Sequence, residues 1–569
     1  MKSYLTAKRF VLPLLGLWLL LYGSFTLFTP PLADGLDALR AEAARGMMLR
    51  HQWITPYADG VRYLADAPAP TWAMAASFRI FGISDWAARL PLAFTALLLV
   101  LVAFRMAIDL TLNGPADRAR RSGFYAALIL VTNVALFAGT REMNGTVLTA
   151  LAASFAAHFF WRSLRLGPTL GSAIGFAAAC ALALLSAGLP GLLVPLITVA
   201  LVLVRSRRLS HLQRWHPFAA LAVFLLLALP WHIAASLANR GPGPAHGFLW
   251  HYFVAHQGRE LFLFMRHHAT AATGMLSYFL IFLAAFLPWV IFHSAQCPEC
   301  PEEEHAKRRL LSCWLLTAVL LGLLFPQQVG VVALAPPLAM MAADWLAADE
   351  ESPAAAGVKR AQLLFRVGVL IALGCAVLLR YQPHVAGLSH RAVAWLHVPP
   401  GIIATAVLVG TGANLLLRRR GRARLANCFL AGMMVFVLLG TQAALVTVSA
   451  VNSSQNLAQA ISPELNADSV IVINGRLEQA SSFAFYLGRR VLVVNGRGGE
   501  LAYGASFNDL PPVFLDQAAL AKLWNGPGRV FLWTEEQFAP AFAAPVYVIA
   551  RSGGKMVLSN APNEGGADF

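Results

Sequence analysis

Charge is what this chain has least of. Only 13% of its 569 residues are charged, and acids are the scarcer sign, 28 Asp and Glu against 44 Lys and Arg. With 58% hydrophobic residues and a mean hydropathy of +0.61, that excludes a soluble globular protein, in which about a quarter of residues are charged. Cysteine is also sparse. Cys180, Cys313, Cys375 and Cys428 fall in or beside apolar runs, where a thiol is a small buried hydrophobe. Cys297 and Cys300 form "CPEC", flanked by His293 and His305. A single CxxC without a second pair is a weak zinc signal, set against a reduced, solvated loop. The sequence has no internal repeat and no extended low-complexity segment.

Long apolar runs are what is there instead. A bilayer core takes about 20 mostly apolar residues per helix, and such windows recur from Phe10 to about Thr447. They predict about thirteen spans, near 10–28, 87–110, 122–139, 145–162, 171–187, 190–204, 217–238, 274–294, 309–325, 328–347, 364–380, 399–417 and 427–447. The pairs in 171–204 and 309–347, short and flanked by proline, read as one span or two. Basic residues cluster in alternate loops, among them "ADRARRS", "RSRRLSHLQR" and "RRRGRAR". This is the positive-inside pattern, and it predicts a multi-pass membrane protein with a cytoplasmic N-terminus and its tail on the opposite side. The net charge of +16 is therefore spread over loops rather than gathered in one patch, which excludes nucleic acid as a partner. The first apolar stretch has no small-residue cleavage site followed by a soluble domain and reads as a retained helix. Three long segments are left outside, 29–86, 239–273 and the tail from about 450 to 569. The spans carry almost no charge of the kind that marks a substrate path, which argues against a transporter.

The first outer segment has structure of its own. "LDALRAEAARGMML" (36–49) sets Leu36, Leu39, Ala43 and Met47 on one side at helical spacing, a surface amphipathic helix, and "PTWAMAASFRIFG" (70–82) is a second candidate. In the tail, "DSVIVING", "RRVLVVNG", "GRVFLWT" and "PVYVIAR" are strand-like runs with helical stretches between them. The predicted fold is an all-α polytopic membrane domain over 1–449, with helices at its outer face, followed by a small α/β domain over 450–569. Ser481, Ser482 and Tyr486 read as scaffold. The glycines of "NGRGGELAYG" match no nucleotide motif, so no nucleotide is expected.

Four pieces in order, "ADGLDALRAEAARGMM", "HQWITPYADGVRYLADAPAPTW", "FGISDWAARLPLAF" and "GFLWHYFVAHQGREL", together with the tail piece "SSFAFYLGRRVLVVNGRGGELAYG", resemble the membrane glycosyltransferases of the GT-C superfamily. The resemblance is to the bacterial branch related to protein O-mannosyltransferases and the lipid A aminoarabinose transferase. It implies an inverting transfer of a sugar from a polyprenyl-phosphate carrier to an acceptor on the outer face, with membrane lipids as partners and a divalent cation as the cofactor such sites allow.

An acceptor hydroxyl needs a carboxylate to take its proton. Asp37 holds the family position for that base, and Asp34 is its helper or a cation ligand; the alternative use of both acids is as caps of the helix 36–49. The leaving phosphate needs cations. Where relatives carry Glu-Lys before a proline, this chain reads Ala65-Asp66-Ala67-Pro68, so the metal-binding carboxylate and the phosphate-binding lysine are both missing. Restoring them at positions 65 and 66 is the change the sequence suggests. Gly145 stands where relatives place an acid, with Glu142 nearby as a substitute, and Gln327, Gln328, Val329 and Val331 replace a lysine and tyrosines. The remaining phosphate contacts are Arg62, Arg79, Arg141, His256 and Arg259, with Asp66 and His256 as weak metal candidates. Five histidines, 246, 251, 256, 267 and 268, crowd the second outer segment; the alternative use of each is as an interfacial aromatic. These losses leave open a second class of function, a catalytically degenerate relative that binds lipid phosphate or assists assembly.

Overall fold

A computed structural model describes residues 2–23, 30–111, 115–241, 246–259, 261, 280–292, 302–352, 355–380, 395–537, 542 and 544–562. The CPEC segment, His267 and His268 lie outside these residues. The protein is a multi-pass membrane protein with a small carboxy-terminal sheet domain. Among the described residues, eight helices are long and apolar enough to cross a bilayer.

The chain begins with α1 (Lys2–Leu21), then α2 (Leu36–Leu49), the two-residue strands β1 (Tyr57–Ala58) and β2 (Val61–Arg62), and α3 (Pro68–Phe81). The bundle continues with α4 (Asp85–Leu110), α5 (Ala116–Val131), α6 (Val134–Gly139), α7 (Thr146–Leu166), α8 (Leu170–Arg205) and α9 (Pro217–Ala238). It closes with α10 (Glu302–Leu324), α11 (Ala335–Glu351), α12 (Ala355–Arg380), α13 (Val398–Arg419) and α14 (Ala423–Thr447). Local chemistry explains the starts. Ser84 caps α4 through the Ala87 N–H, Thr169 and Ser172 form a reciprocal capping box on α8, and Pro68 opens α3 where a missing N–H costs nothing.

The ambiguous segment 171–204 is two antiparallel arms. The backbone leaves helical geometry at Ala187 and Gly188, and a Cβ at position 191 would lie 2.5 Å from the Ala183 carbonyl. In a straight helix these residues would be about 12 Å apart. Gly188 is required at the turn, with φ +67° and a Cβ position only 2.0 Å from Gln257 Nε2. The segment 309–347 is likewise two helices, α10 and α11, joined through a short 3₁₀ turn at Val331–Leu334. The predicted span 122–139 is broken at Asn133, whose side chain caps α6.

Small residues let the helices approach. Ala150, Ala153 and Ala157 of α7 and Ala173 of α8 are buried in one core with Phe160, Trp314 and Leu430. At the bundle end away from α2, ion pairs satisfy the few buried charges, Arg418 with Asp349 and Lys307 with Asp344 (3.0 Å).

The sheet domain has α15 (Gln455–Ile461), β3 (Val470–Asn474), α16 (Ser481–Leu487), β4 (Leu492–Val494), β5 (Phe514–Leu515), α17 (Gln517–Trp524), β6 (Val530–Glu535), β7 (Tyr547–Ser552) and β8 (Lys555–Ser559). Its strand order is β5-β4-β3-β6-β8-β7. The first four are parallel, with Val472 opposite both Leu492 and Leu532, and the last two join antiparallel. One face of this sheet shares its core with α2 and the β1–β2 hairpin: Leu39, Ala43, Val61 and Tyr63 pack with Ile471, Ile473, Phe483 and Trp533. The second helix of the first outer segment packs on α2 from the other side, through Met74, Ala75 and Phe78.

Asp59, at the tip of the hairpin, fastens this contact by accepting the Val491 N–H at 3.1 and 3.3 Å. Burial pushes its carboxyl up to about 8, with the nearby Glu42 charge adding to the rise. The folded state therefore holds a proton that the unfolded chain releases near the ordinary aspartate value. Stability from this group is complete below that value and is lost as pH rises towards 8. Asp59→Asn cannot titrate, so its melting temperature relative to the native chain should climb from pH 5 to pH 8 and level off above; a constant offset across that range would contradict the assignment.

Candidate functional site

The end of the bundle that carries α2, α3 and the sheet domain holds two openings. The first is a narrow polar crevice whose free volume, about 20 Å³, is room for roughly one water. The α8 hairpin turn (Ser186, Ala187), the loop before α7 (Met143, Asn144, Gly145) and the start of α3 form its walls, with Arg40 from α2. Gln327 and Gln328 close it, and Tyr252, His256 and Gln257 enter from a π-helical turn, His251–His256. The wider π turn brings residues 252, 256 and 257 onto one side, a distortion common at functional sites. Gln257 Oε1 accepts the Leu189 N–H at 3.1 Å, so this turn and the α8 hairpin are locked together.

Arg40 is the cation of the crevice. Its Nε and Nη2 bind Asp66 at 2.6 and 3.1 Å, and Tyr63 donates its hydroxyl to the same carboxylate. Nη1 makes no hydrogen bond among the described residues. Burial raises the Asp66 carboxyl, but the Arg40 guanidinium outweighs it and holds the group below the ordinary aspartate range. Asp66 is thus neither vacant nor repelling: it aims Arg40.

Asp37 lies one helical turn before Arg40. Its Oδ1 accepts the N–H of Met143 at 2.9 Å, a residue of the crevice wall, and its Oδ2 makes no hydrogen bond among the described residues. Burial pushes this carboxyl above the ordinary range, against the pull of the Met143 N–H, Arg89 and Arg40. Glu142 sits beside it, bonded to Asn144 Nδ2 at 2.9 Å. Partial burial and then the Asp37 charge raise the Glu142 carboxyl too.

The second opening is a wider cleft between α2 and the sheet domain, lined by Asp34, Leu36, Arg259, Arg476, Glu500 and Lys555, among others. His256 and Glu500, 3.8 Å apart, stand between the two. His251 stacks on Tyr503 with ring centroids 3.8 Å apart, and burial, helped by His256 and Arg259, pushes it down to about 4.

The structure thus brings Asp37, Asp66, Glu142 and His256 to one place and sets the other expected residues elsewhere. Asp34 is turned away from Asp37, its oxygens taken by Ser482, Ser454 and Lys555. Arg62 forms a two-pronged pair with Asp509 and covers the Phe507 ring at 4.1 Å. Arg79 is exposed at the end of α3. Arg141 is buried against Phe137, Gln442 and the Leu21 carbonyl, and Arg259 is exposed in the wider cleft. Gly145 has no room for a side chain, since a Cβ would lie 1.9 Å from the Ser186 carbonyl. Among the described residues, no group of three or more His, Cys, Asp or Glu could hold a metal, and Asp66 is committed to Arg40. Sequence reasoning missed Arg40, although its spacing of three from Asp37 on an amphipathic helix was a usable signal. It also missed Gln257 and Tyr252, which carry none.

Residues 65–233 match the family described as dolichyl-phosphate-mannose-protein mannosyltransferase. The undecaprenyl phosphate-alpha-4-amino-4-deoxy-L-arabinose arabinosyl transferase of Pectobacterium carotovorum is 24% identical over 90% of this chain and 88% of its own length. That of Yersinia enterocolitica is 26% identical over 82% of each. The Aeromonas hydrophila protein of the same name is 29% identical over 56% of this chain, which spans 55% of that relative. The crystal structure of ArnT from Cupriavidus metallidurans bound to undecaprenyl phosphate superposes with a TM-score of 0.77 at 19% identity, covering 99% of this chain and 98% of that one. At that identity the likeness shows the fold.

The pairing of Asp66 with Arg40 reverses the restoration that the sequence suggests. Asp66→Lys would set two cations against each other in a buried site and should cost about 3 kcal/mol or more. The residue immediately before Pro68 is Ala67, which lines the crevice beside Trp231 and Tyr252, so Ala67→Lys adds one cation without breaking a pair and should cost less. Thermal melts of the two purified variants check this, and equal losses would contradict it.

Proposed function

We propose, for a chain that belongs to the GT-C superfamily of membrane glycosyltransferases, that it moves a sugar from a polyprenyl-phosphate carrier to an acceptor at the periplasmic face of the inner membrane. The observation that carries this reading is the bond that holds the half-bonded Asp37 carboxylate to Met143 in the wall of the Arg40 and His256 crevice. Support for the carrier comes from the relatives named for an undecaprenyl-phosphate-linked sugar and from the fold-mate bound to undecaprenyl phosphate.

The chemistry follows from the two openings. The donor phosphate docks at the mouth of the narrow crevice and opens it, meeting Arg40 Nη1, the free end of an anchored guanidinium, with His256 on the other side. The acceptor reaches the sugar from the wider cleft, on the other side of the His256–Glu500 pair. As the acceptor oxygen bonds to the anomeric carbon, Asp37 Oδ2 takes its proton. The bond from that carbon to the phosphate oxygen breaks, and the phosphate leaves with one more negative charge. Arg40, already charged and already aimed, meets that charge without reorganising. The Met143 N–H leaves only one Asp37 oxygen to act, which fixes the direction of proton transfer. The raised carboxyl is a stronger base than an ordinary aspartate once ionised.

A second reading, a binder that no longer transfers, is favoured by one observation: Ala65 and Ala67 line the crevice and bring no charge to it. A labelled donor separates the two. With undecaprenyl phosphate-4-amino-4-deoxy-L-arabinose as probe, the native protein should release the label from the lipid. Asp37→Asn should slow release by about a hundredfold or more while leaving lipid binding intact. The native rate should rise with pH through the raised Asp37 value, since only the ionised form accepts a proton. Binding of undecaprenyl phosphate without any turnover would select the second reading.

A further inference from the structure

Lys555 lines the wider cleft, but no step of the transfer as described uses it. It opens β8, more than five hundred residues after α2, yet its Nζ lies 2.7 Å from Asp34 Oδ2 and 2.9 Å from the Val451 carbonyl. The pair is largely buried, with 14% and 9% of the two side chains exposed. The same carboxylate accepts the Ser454 hydroxyl at 2.6 Å, and the N–H and hydroxyl of Ser482 at 2.9 and 2.6 Å. Every lone-pair direction of Asp34 is thus answered from the sheet domain and the segment leading into it. Backbone bonds continue the grip: Asp34 N–H to the Asn452 carbonyl (2.7 Å), Gly35 N–H to the Glu478 carbonyl (2.6 Å), and Ser481 Oγ to the Gly35 carbonyl (2.9 Å).

The start of α2 needs such a grip because it has no side-chain cap of its own, only the Ala38 N–H reaching back to the Ala33 carbonyl at 3.1 Å. Its N-cap is Gly35, at φ +92°, with no side chain to bond the first-turn N–H groups. A glycine there is also the least restrained of residues, so an unheld first turn would fray. Asp37 lies within that turn.

We propose that Lys555 is a positioning residue: through Asp34 it fixes the first turn of α2, so that the sheet domain sets where the Asp37 carboxylate points. The kinetic part of this rests on the transfer reading above; the structural part does not. A base displaced by an ångström loses its line to the acceptor, so the rate suffers while donor binding, which depends on the crevice, does not.

The test uses the full-length protein in detergent and four variants, Lys555→Met, Lys555→Arg, Asp34→Asn and the Lys555→Met/Asp34→Asn pair. Hydrogen exchange over residues 34–40 should speed up about tenfold or more in Lys555→Met, with the transmembrane helices unaffected. With the labelled arabinose donor, kcat should fall about tenfold at a donor KM within about twofold of native. Lys555→Arg should preserve both, and the double variant should be no worse than the more impaired single, as expected of residues acting as one unit. Unchanged exchange at 34–40 would overturn the proposal. So would a rise in KM alone, which would make Lys555 a substrate contact, or loosening spread over the whole molecule, which would make it a general stabiliser. If the native protein turns over no donor, that result counts against the transfer, while the exchange measurement still decides the clamp.

Discussion

The site depends on a short run of backbone, Pro30 to Asp37, being held from several directions at once. Arg89, buried in α4, donates to the Pro30 carbonyl at 2.8 Å, and the Tyr486 hydroxyl accepts the Leu32 N–H at 2.7 Å. The sheet domain takes Asp34 and Gly35, and the loop before α7 takes Asp37. A membrane bundle and a sheet domain, which also meet at the hairpin, at α4 and at the π-helical turn, set the position of one carboxylate between them along this run and the adjoining α2 face. Tyr486 also donates to Asp85 at 2.8 Å, so the same residue ties the sheet domain to the first turn of α4. Buried bonds of this kind lose little to water competition, and each carries more weight than a surface pair.

The crevice is built by the same economy of parts. Asp66 and Tyr63, from the hairpin and the turn after it, are spent on Arg40 rather than on a ligand. Removing the acid would free the guanidinium to collapse onto Asp37; keeping it leaves one guanidinium edge for an anion. Gly145 and Gly188 allow the α7 loop and the α8 turn to close at backbone distance on Ser186 and Gln257. The tight fit leaves no room for an acid at position 145.

Much of the fold was legible because the signals are strong and local. Long apolar windows set the spans, the Leu36, Leu39, Ala43 and Met47 spacing set α2, and the strand-like runs marked the sheet. The two proline-flanked segments were ambiguous because composition does not reveal where a chain reverses; that took the Ala187–Gly188 geometry. Sites were less legible. Asp37 and His256 follow from position in a motif, but whether Asp34 faces its neighbour or a lysine in the last strand depends on a contact across the whole chain. Arg62 looked like a phosphate ligand because its partner, Asp509, lies far along the sequence. Arg40 was passed over because an arginine on an amphipathic helix reads as a solvated charge until Asp66 is seen against it.

The central claim is that the lipid phosphate docks at the mouth of the crevice, between Arg40 and His256, with Asp37 held to its wall through Met143. A cryo-EM structure of the protein with undecaprenyl phosphate tests it most directly. The account predicts phosphate oxygens within hydrogen-bond distance of Arg40 Nη1, with Asp66 still paired behind it and Asp37 Oδ2 facing the space where the sugar would sit. A phosphate bound instead at Arg62 or Arg79, with Arg40 untouched, would contradict it.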